Sequence, residues 1–445
     1  MTVSPSSSNP TVDIYSLIAA WLFVAVIVLV IVAIAVPEYP KWVTGVVAWV
    51  ACILLSPRLT PRQFYTVMGL IVVGGLGIAW GIAHGQNQLL LMALTQNVPL
   101  TGMLIAVSFL QLIAVKPQLQ YDEPLAKGRG ALMQTMLGVH LFGAVINFSA
   151  VAIFADRLSA RVPLNMSQGM ALSQAFIVGA VWSPFYGAMA AALTAAPGAS
   201  LAQLMLWGLP IAVIGMAVTY FILSTKEYDS AREFVGYPLH VETLWVPAML
   251  AAIVLLVHEW HSDWSVLAII AAVAPLVTML TLLFTRPQET AALCQRLITN
   301  RLPSMNAELT LFMAAAMLSA GMSGAIVVLN LGVPFDHFGP LAASIILVVM
   351  NICAWFGMHP IILVSVLGPW LSPLQPDQNL MAMTFLMSWG VGLTACPMSN
   401  TMLAMAGRYR LPFGQLLALN RIYSLKMTII CISIIYTYCA MNGIA

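Results

Sequence analysis

The stretch Trp182-Ser183-Pro184-Phe185-Tyr186-Gly187-Ala188-Met189 decides the reading, together with its counterpart Ala395-Cys396-Pro397-Met398-Ser399-Asn400-Thr401-Met402. Each is a helix-breaking, partly polar interruption near the middle of a long apolar run, so the two read as copies of one device. Aligned without gaps 213 residues apart, Gly179 meets Gly392, Pro184 meets Pro397, Met189 meets Met402 and Ala191 meets Ala404. Upstream, Gly138-Val139-His140 and Gly357-Met358-His359 match at a spacing of 219. A repeat whose matching points are broken apolar segments points to the substrate site of a secondary transporter.

Composition agrees. Hydrophobic residues make up 61% of the 445 and charged residues 7%, against roughly 25% charged in a soluble domain. The expected fold is therefore all-α and polytopic, dissolved in a lipid bilayer. A net charge of +2 is too small to suggest a nucleic-acid partner. The six cysteines are scattered without metal-ligand spacing, and no disulfide framework is expected. The first dozen residues are polar and no cleavage site follows, so the first apolar run reads as a retained helix.

A hydrocarbon core about 30 Å thick needs roughly 20 apolar residues in a helix. About eleven crossings are expected, at 15–36, 42–56, 65–84, 95–115, 130–154, 200–224, 241–258, 263–285, 307–329, 340–369 and 413–438. The interrupted segments 171–196 and 380–407 are either re-entrant hairpins or crossings with an unwound centre. Basic loops arbitrate, because Lys and Arg collect on the cytoplasmic side. Arg58 and Arg62, Lys116 with Lys127 and Arg129, Lys226 with Arg232, Arg286 with Arg296 and Arg301, and Arg408 with Arg410 should all lie inside. If 171–196 is a hairpin, every strongly basic loop but Arg157/Arg161 does so, which favours hairpins at both interruptions, the first entered from outside and the second from the cytoplasm.

The organisation expected is then a tail and extra helix over 1–41 with a cytoplasmic N-terminus, a first repeat over 42–224, a cytoplasmic linker over 225–240 and a second repeat of inverted topology over 241–438. The setting expected is a bacterial cytoplasmic membrane.

Non-helical backbone at membrane depth survives only where protein buries it or a watery cavity lies beside it. Pro184 and Pro397 each remove a donor and leave a helix N-terminus just beyond. Such an end suits an anion. Ser399, Asn400 and Thr401 add hydroxyls and an amide there, enough for a substrate oxygen or a sodium ion. Ser183, Tyr186 and the open Gly187 backbone form the poorer counterpart. The bland alternative is a pair of proline kinks satisfied by neighbouring helices.

His140 and His359 are candidates for a coupling proton or for substrate, weighed against ordinary interhelical hydrogen bonding. Asn147, Ser149 and Asn351 rank lower as packing residues. Acidic residues are nearly absent from the expected interior, Glu308 standing at a helix start, which tilts the reading toward an anionic or neutral substrate. Arg421, and less so Lys426, could balance a substrate charge.

Enzyme readings fail on spacing. His258-Glu259-Trp260-His261 has one residue between Glu and the second His, unlike the helix-borne zinc motif, and reads as an interfacial aromatic loop. Gly321-Met322-Ser323-Gly324 lacks the full serine-elbow pattern, and close helix packing explains residues 319–325.

On these residues the chain resembles the ion transporter superfamily, which includes the divalent anion/sodium symporters and the arsenite and citrate carriers. Ser399-Asn400-Thr401 matches the Ser-Asn-Thr signature of the symporters; that family carries it in both repeats, whereas the first copy here reads Tyr186-Gly187-Ala188. The resemblance implies eleven helices, an inverted repeat, and a signature that lines sodium and carboxylate sites. It implies a homodimer as well, since members are commonly dimers. In that family one repeat holds both a hairpin and a separate unwound helix, and Pro397 to Asn400 could correspond to either.

The function expected is secondary active transport of a small, anionic organic solute, coupled to sodium or protons by alternating access. No cofactor is expected, and no metal beyond a sodium ion at Ser399, Asn400 and Thr401. The alternative from another class is a non-transporting membrane scaffold or anchor subunit, whose broken segments would pack dry. An intramembrane hydrolase is a distant third.

Overall fold

The computed structural model of the protein describes residues 13–114, 125–160, 162–225, 230–238 and 245–445. Lys116, Arg161, Lys226 and the polar first dozen residues fall outside these. The described chain is built of helices, with one two-residue ladder pairing Ala126–Lys127 with Val235–Gly236. Among the described residues, eight helices are long and apolar enough to cross a membrane. Large apolar side chains such as Phe221, Leu276 and Phe284 stand exposed on their outer faces, where lipid replaces water as solvent. The chain is an all-α polytopic membrane protein, and its six cysteines are free thiols.

Close approaches fix the direction of each helix. Pro61–Ala83 and Asn306–Leu329 run parallel with their backbones touching: a β-carbon at Gly74 would strike Met317 and Leu318, and one at Gly77 would strike Gly321. Small residues allow this, and in lipid such packing substitutes for the hydrophobic effect. Leu89–Thr95 and Val98–Val107 run the other way, with Leu89 against Gly324 and Asn97 Nδ2 donating to the Phe312 carbonyl at 2.7 Å. The start of Pro61–Ala83 is held by a Thr60/Gln63 capping box with Pro61 in the first turn. This end carries Arg58, Arg62 and Arg301 and is called the basic end.

Residues 129–159 double back. Arg129–Ile146 ends at Asn147, whose φ is +53°, and Phe148–Ser159 begins at once. Thr135 on the first arm accepts from Tyr237 N at 2.8 Å, and Phe154 on the second lies 5.2 Å from the Tyr237 ring. Both arms therefore stand on the same short segment near the ladder, and Asn147 is the tip of a re-entrant hairpin.

The second hairpin points the opposite way. Pro340–Trp355 runs inward along Phe413–Asn442, with Asn351 bonded to Thr428 and Trp355 to Ser424. Gly357 turns the chain at φ +98°, where a side chain would be strained. Pro360–Leu371 then returns, Gly368 packing on Ala195.

The interrupted segments are crossings. Met166–Ile177 starts at the ladder, where Gln168 donates to the Val235 carbonyl, and continues after the break as Gly187–Ala195 to the far end. Gln378–Met387 starts at that far end, where Asn379 accepts from Ser200 N at 2.7 Å. Asn400–Gly407 completes the crossing beside Asp156, which pairs with Arg408 at 2.7 Å. The two breaks touch, since a β-carbon at Gly390 would overlap Val181.

Two sequence-based expectations are thereby corrected. The reversals lie in 130–154 and 340–369, which read as single crossings, and 171–196 and 380–407 take the alternative of a crossing with a broken centre. Asn147-Phe148 contains neither Gly nor Pro, so hydropathy alone runs through the first tip unbroken. Arg157, the exception to the charge rule, now stands with the other basic residues.

Candidate functional site

A cavity of about 290 Å³ lies where the two hairpin tips and the two breaks meet. The tips contribute Asn147, Phe148 and Ser149 from one side and Gly357 and His359 from the other. The breaks contribute Tyr186 and Gly187, and Met398, Asn400 and Thr401. Facing them are Arg62, Gln111 and Phe312 from helices outside this group. Arg62, Arg301 and Glu308 stand at its mouth on the basic end.

The second break is shaped by helix termination. The helix loosens to wider and then tighter turns over Ser388–Gly392 and Leu393–Ala395, and Pro397 supplies no N–H to continue it. Ser399 then accepts from Met402 N at 3.2 Å and caps Asn400–Gly407. Its hydroxyl is spent on the cap and lies outside the cavity lining, as does Pro397. The next residue, Asn400, is exposed toward the cavity with no hydrogen bond to any described residue, and Thr401 lies beside it.

The first break is closed by its own bonds. Ser183 donates to the Ala144 carbonyl and accepts from Phe185 N at 3.3 Å, so it and Pro184 lie outside the cavity. Tyr186 lines the wall with its hydroxyl donating to Phe176 O at 2.8 Å. Gly187 lets the Phe312 ring approach, since a β-carbon there would sit 3.1 Å from its edge.

The two histidines are not equivalent. His140 is buried within Arg129–Ile146, with Nδ1 on the Ala175 carbonyl at 2.8 Å and Nε2 accepting from Trp182 Nε1 at 3.0 Å. Both ring nitrogens are satisfied away from the cavity. His359 caps Pro360–Leu371, its Nδ1 accepting from Ile361 N at 3.3 Å. That places the ring proton on Nε2, and the ring lines the cavity edge-on to Trp389 at 5.2 Å. The matched spacing of 219 paired a mid-helix residue with a tip residue; the other hairpin tip is at Asn147.

Arg421 is also placed elsewhere, with Nη2 on the Trp355 carbonyl at 3.1 Å and outside the lining, and Lys426 is exposed on the outer face of the same helix. Asn351 is a packing residue on Thr428. Sequence reasoning ranked Asn147 and Ser149 low and missed Arg62, Gln111 and the stacked pair Phe312 and Trp389, 6.1 Å apart. Glu308, set aside as a helix-start residue, lines the mouth near Arg301. Burial pulls the Arg301 guanidinium below its ordinary pKa and the Glu308 carboxylate pulls it back up. Among the described residues no cluster of His, Cys, Asp or Glu is placed to hold a metal ion. His261 stacks on Trp264 at 4.3 Å, the aromatic loop its sequence suggests.

Fold and cavity together define a multi-pass membrane protein with a cavity between broken helices. No protein-family model matches the chain, and no curated protein matches it in sequence. Among solved structures it is similar to the YdaH transporter of Alcanivorax borkumensis, at 14% identity and a TM-score of 0.40 over 96% of this chain and 99% of that one. A likeness that slight carries no function across.

Proposed function

We propose that the chain is a secondary active transporter of a small organic anion, coupled to sodium or protons. One observation carries this reading: four helices begin at a single cavity. Phe148–Ser159, Gly187–Ala195, Pro360–Leu371 and Asn400–Gly407 all direct their N-termini there. Each such end carries roughly half a positive charge and unpaired amides, and the lining residues at the tips and breaks carry no carboxylate. An anion is the solute this field favours. Asn147, Asn400, Thr401 and the Nε2 of His359 would orient it, and the Asn400 amide with the Thr401 hydroxyl and freed carbonyls would serve a sodium ion.

In this reading eleven crossings and two hairpins form an inverted repeat, with the basic end and the N-terminus in the cytoplasm. The cavity opens to that side. A cleft of about 390 Å³ at the far end, lined by Gln96, Thr194, Ser319 and Ser365, separates the same two groups of helices, so alternating access has a second path to open. The scaffold alternative expects dry packing where the cavity lies. A hydrolase needs a nucleophile bonded to a base, a pairing not found among the described lining residues.

The test is uptake into proteoliposomes of radiolabelled benzoate, succinate and citrate, with imposed sodium or proton gradients. Accumulation above equilibrium that collapses with one gradient is expected and identifies the coupling ion. Equal internal and external solute under every gradient would refute secondary transport of these anions.

A further inference from the structure

The cavity holds a cation that the broken helices do not explain. Arg62 sits in the first turn of Pro61–Ala83, where charge patterning accounts for it as a basic residue at a helix end. Its side chain does not simply turn out to solvent. It lines the cavity, and Nη2 lies 4.0 Å from where a β-carbon of Gly357 would stand, at the tip of the second hairpin. Pro397 and Met398 approach the same point from the second break.

The guanidinium thus faces the starts of Pro360–Leu371 and Asn400–Gly407 across the mouth of the cavity. No described residue forms an ion pair or hydrogen bond with it. The other two charges of the lining, Arg301 and Glu308, are of opposite sign and interact with each other. Arg62, an exposed residue, is left as a planar five-donor fork beside two positive helix ends, an arrangement suited to a carboxylate.

We propose that Arg62 is the counter-charge for the carboxylate of the transported solute, held between the Arg62 fork and the 357–359 tip. This rests on the anion-transport reading above and goes beyond it, because Arg62 belongs to a helix outside the hairpins and breaks. The solute would bridge two groups of helices, and Gly357 is needed at the tip because a side chain there would be strained by its φ and crowd the gap.

The experiment compares the wild type with Arg62→Gln and Arg62→Lys, using the same benzoate, succinate and citrate panel and the uncharged benzamide. Dissociation constants and uptake kinetics are measured for each. For the carboxylate that binds the wild type, Arg62→Gln should raise the dissociation constant and KM by about tenfold or more, as expected for losing a charge-assisted pair. Arg62→Lys should recover part of that loss, and the ligand-free thermal midpoint should stay put in both.

Wild-type affinity for the carboxylate in Arg62→Gln would overturn the assignment and leave the transport reading standing. Equal weakening of benzamide and benzoate would also overturn it, since the residue would then shape the cavity and not meet a charge. A wild type that binds benzamide but none of the anions would sink the anion reading and this role together.

Discussion

Asn400→Ala should remove about half or more of the thermal stabilisation that the anion proposed as solute confers. A ligand at about 100 times its dissociation constant stabilises a protein by about 2.7 kcal/mol. Losing a hydrogen bond to a charged group costs about 1.5–3 kcal/mol, so the affinity should fall roughly ten- to a hundredfold. At the same ligand concentration, only about 0.4–1.4 kcal/mol of stabilisation would remain. The ligand-free protein should melt unchanged, because the Asn400 side chain faces the cavity and is bonded to no described residue, and alanine is the better helix former. Thermal shift with and without ligand separates the two effects. A full ligand shift in the variant would remove Asn400 from the site.

Gly321→Leu should be among the most damaging single changes to the fold. A β-carbon at Gly321 would collide with the Gly74 carbonyl and its Cα, and backbone cannot swing aside as a side chain can. Pro61–Ala83 and Asn306–Leu329 would have to separate along their shared length, at a cost at or above the upper end of the 1–3 kcal/mol typical of overpacking. Loss of a monodisperse species in detergent, or a large fall in thermal midpoint, is the expected readout. Gly69→Ala on the same helix is the control: nothing lies within 4 Å of its added carbon, so it should be neutral or mildly stabilising. Equal behaviour of the two variants would contradict the packing described.

Much of the architecture is legible in the sequence because lipid leaves the chain few options. The alignment of Pro184 with Pro397 finds both breaks, and the residues three further on, Gly187 and Asn400, each open a helix onto the cavity. The first hairpin was missed for a physical reason: a tip made by a single asparagine at positive φ leaves apolar periodicity undisturbed, whereas a buried proline break looks like a tip. The second tip does carry breakers, Gly357 and Pro360, inside the run 340–369 that reads as one crossing. The sequence does carry a trace of the first, since Arg157/Arg161 is the one basic pair that the hairpin reading of 171–196 leaves against the charge rule. Arg62 was legible only as a topology signal; that its side chain reaches a hairpin nearly 300 residues away in sequence is a property of packing. His140 misled because a duplicated Gly-x-His pattern has no bearing on which nitrogen finds a partner.

The most direct test of the account is the accessibility of single cysteines placed at Asn147 and Asn400, in a background lacking the six native thiols, to a membrane-impermeant reagent applied from each side. Both should label from the face carrying Arg58 and Arg410, and the carboxylate proposed as solute should protect both. Failure to label from either face, or labelling that no solute slows, would mean that the tips and breaks pack without a solute site between them.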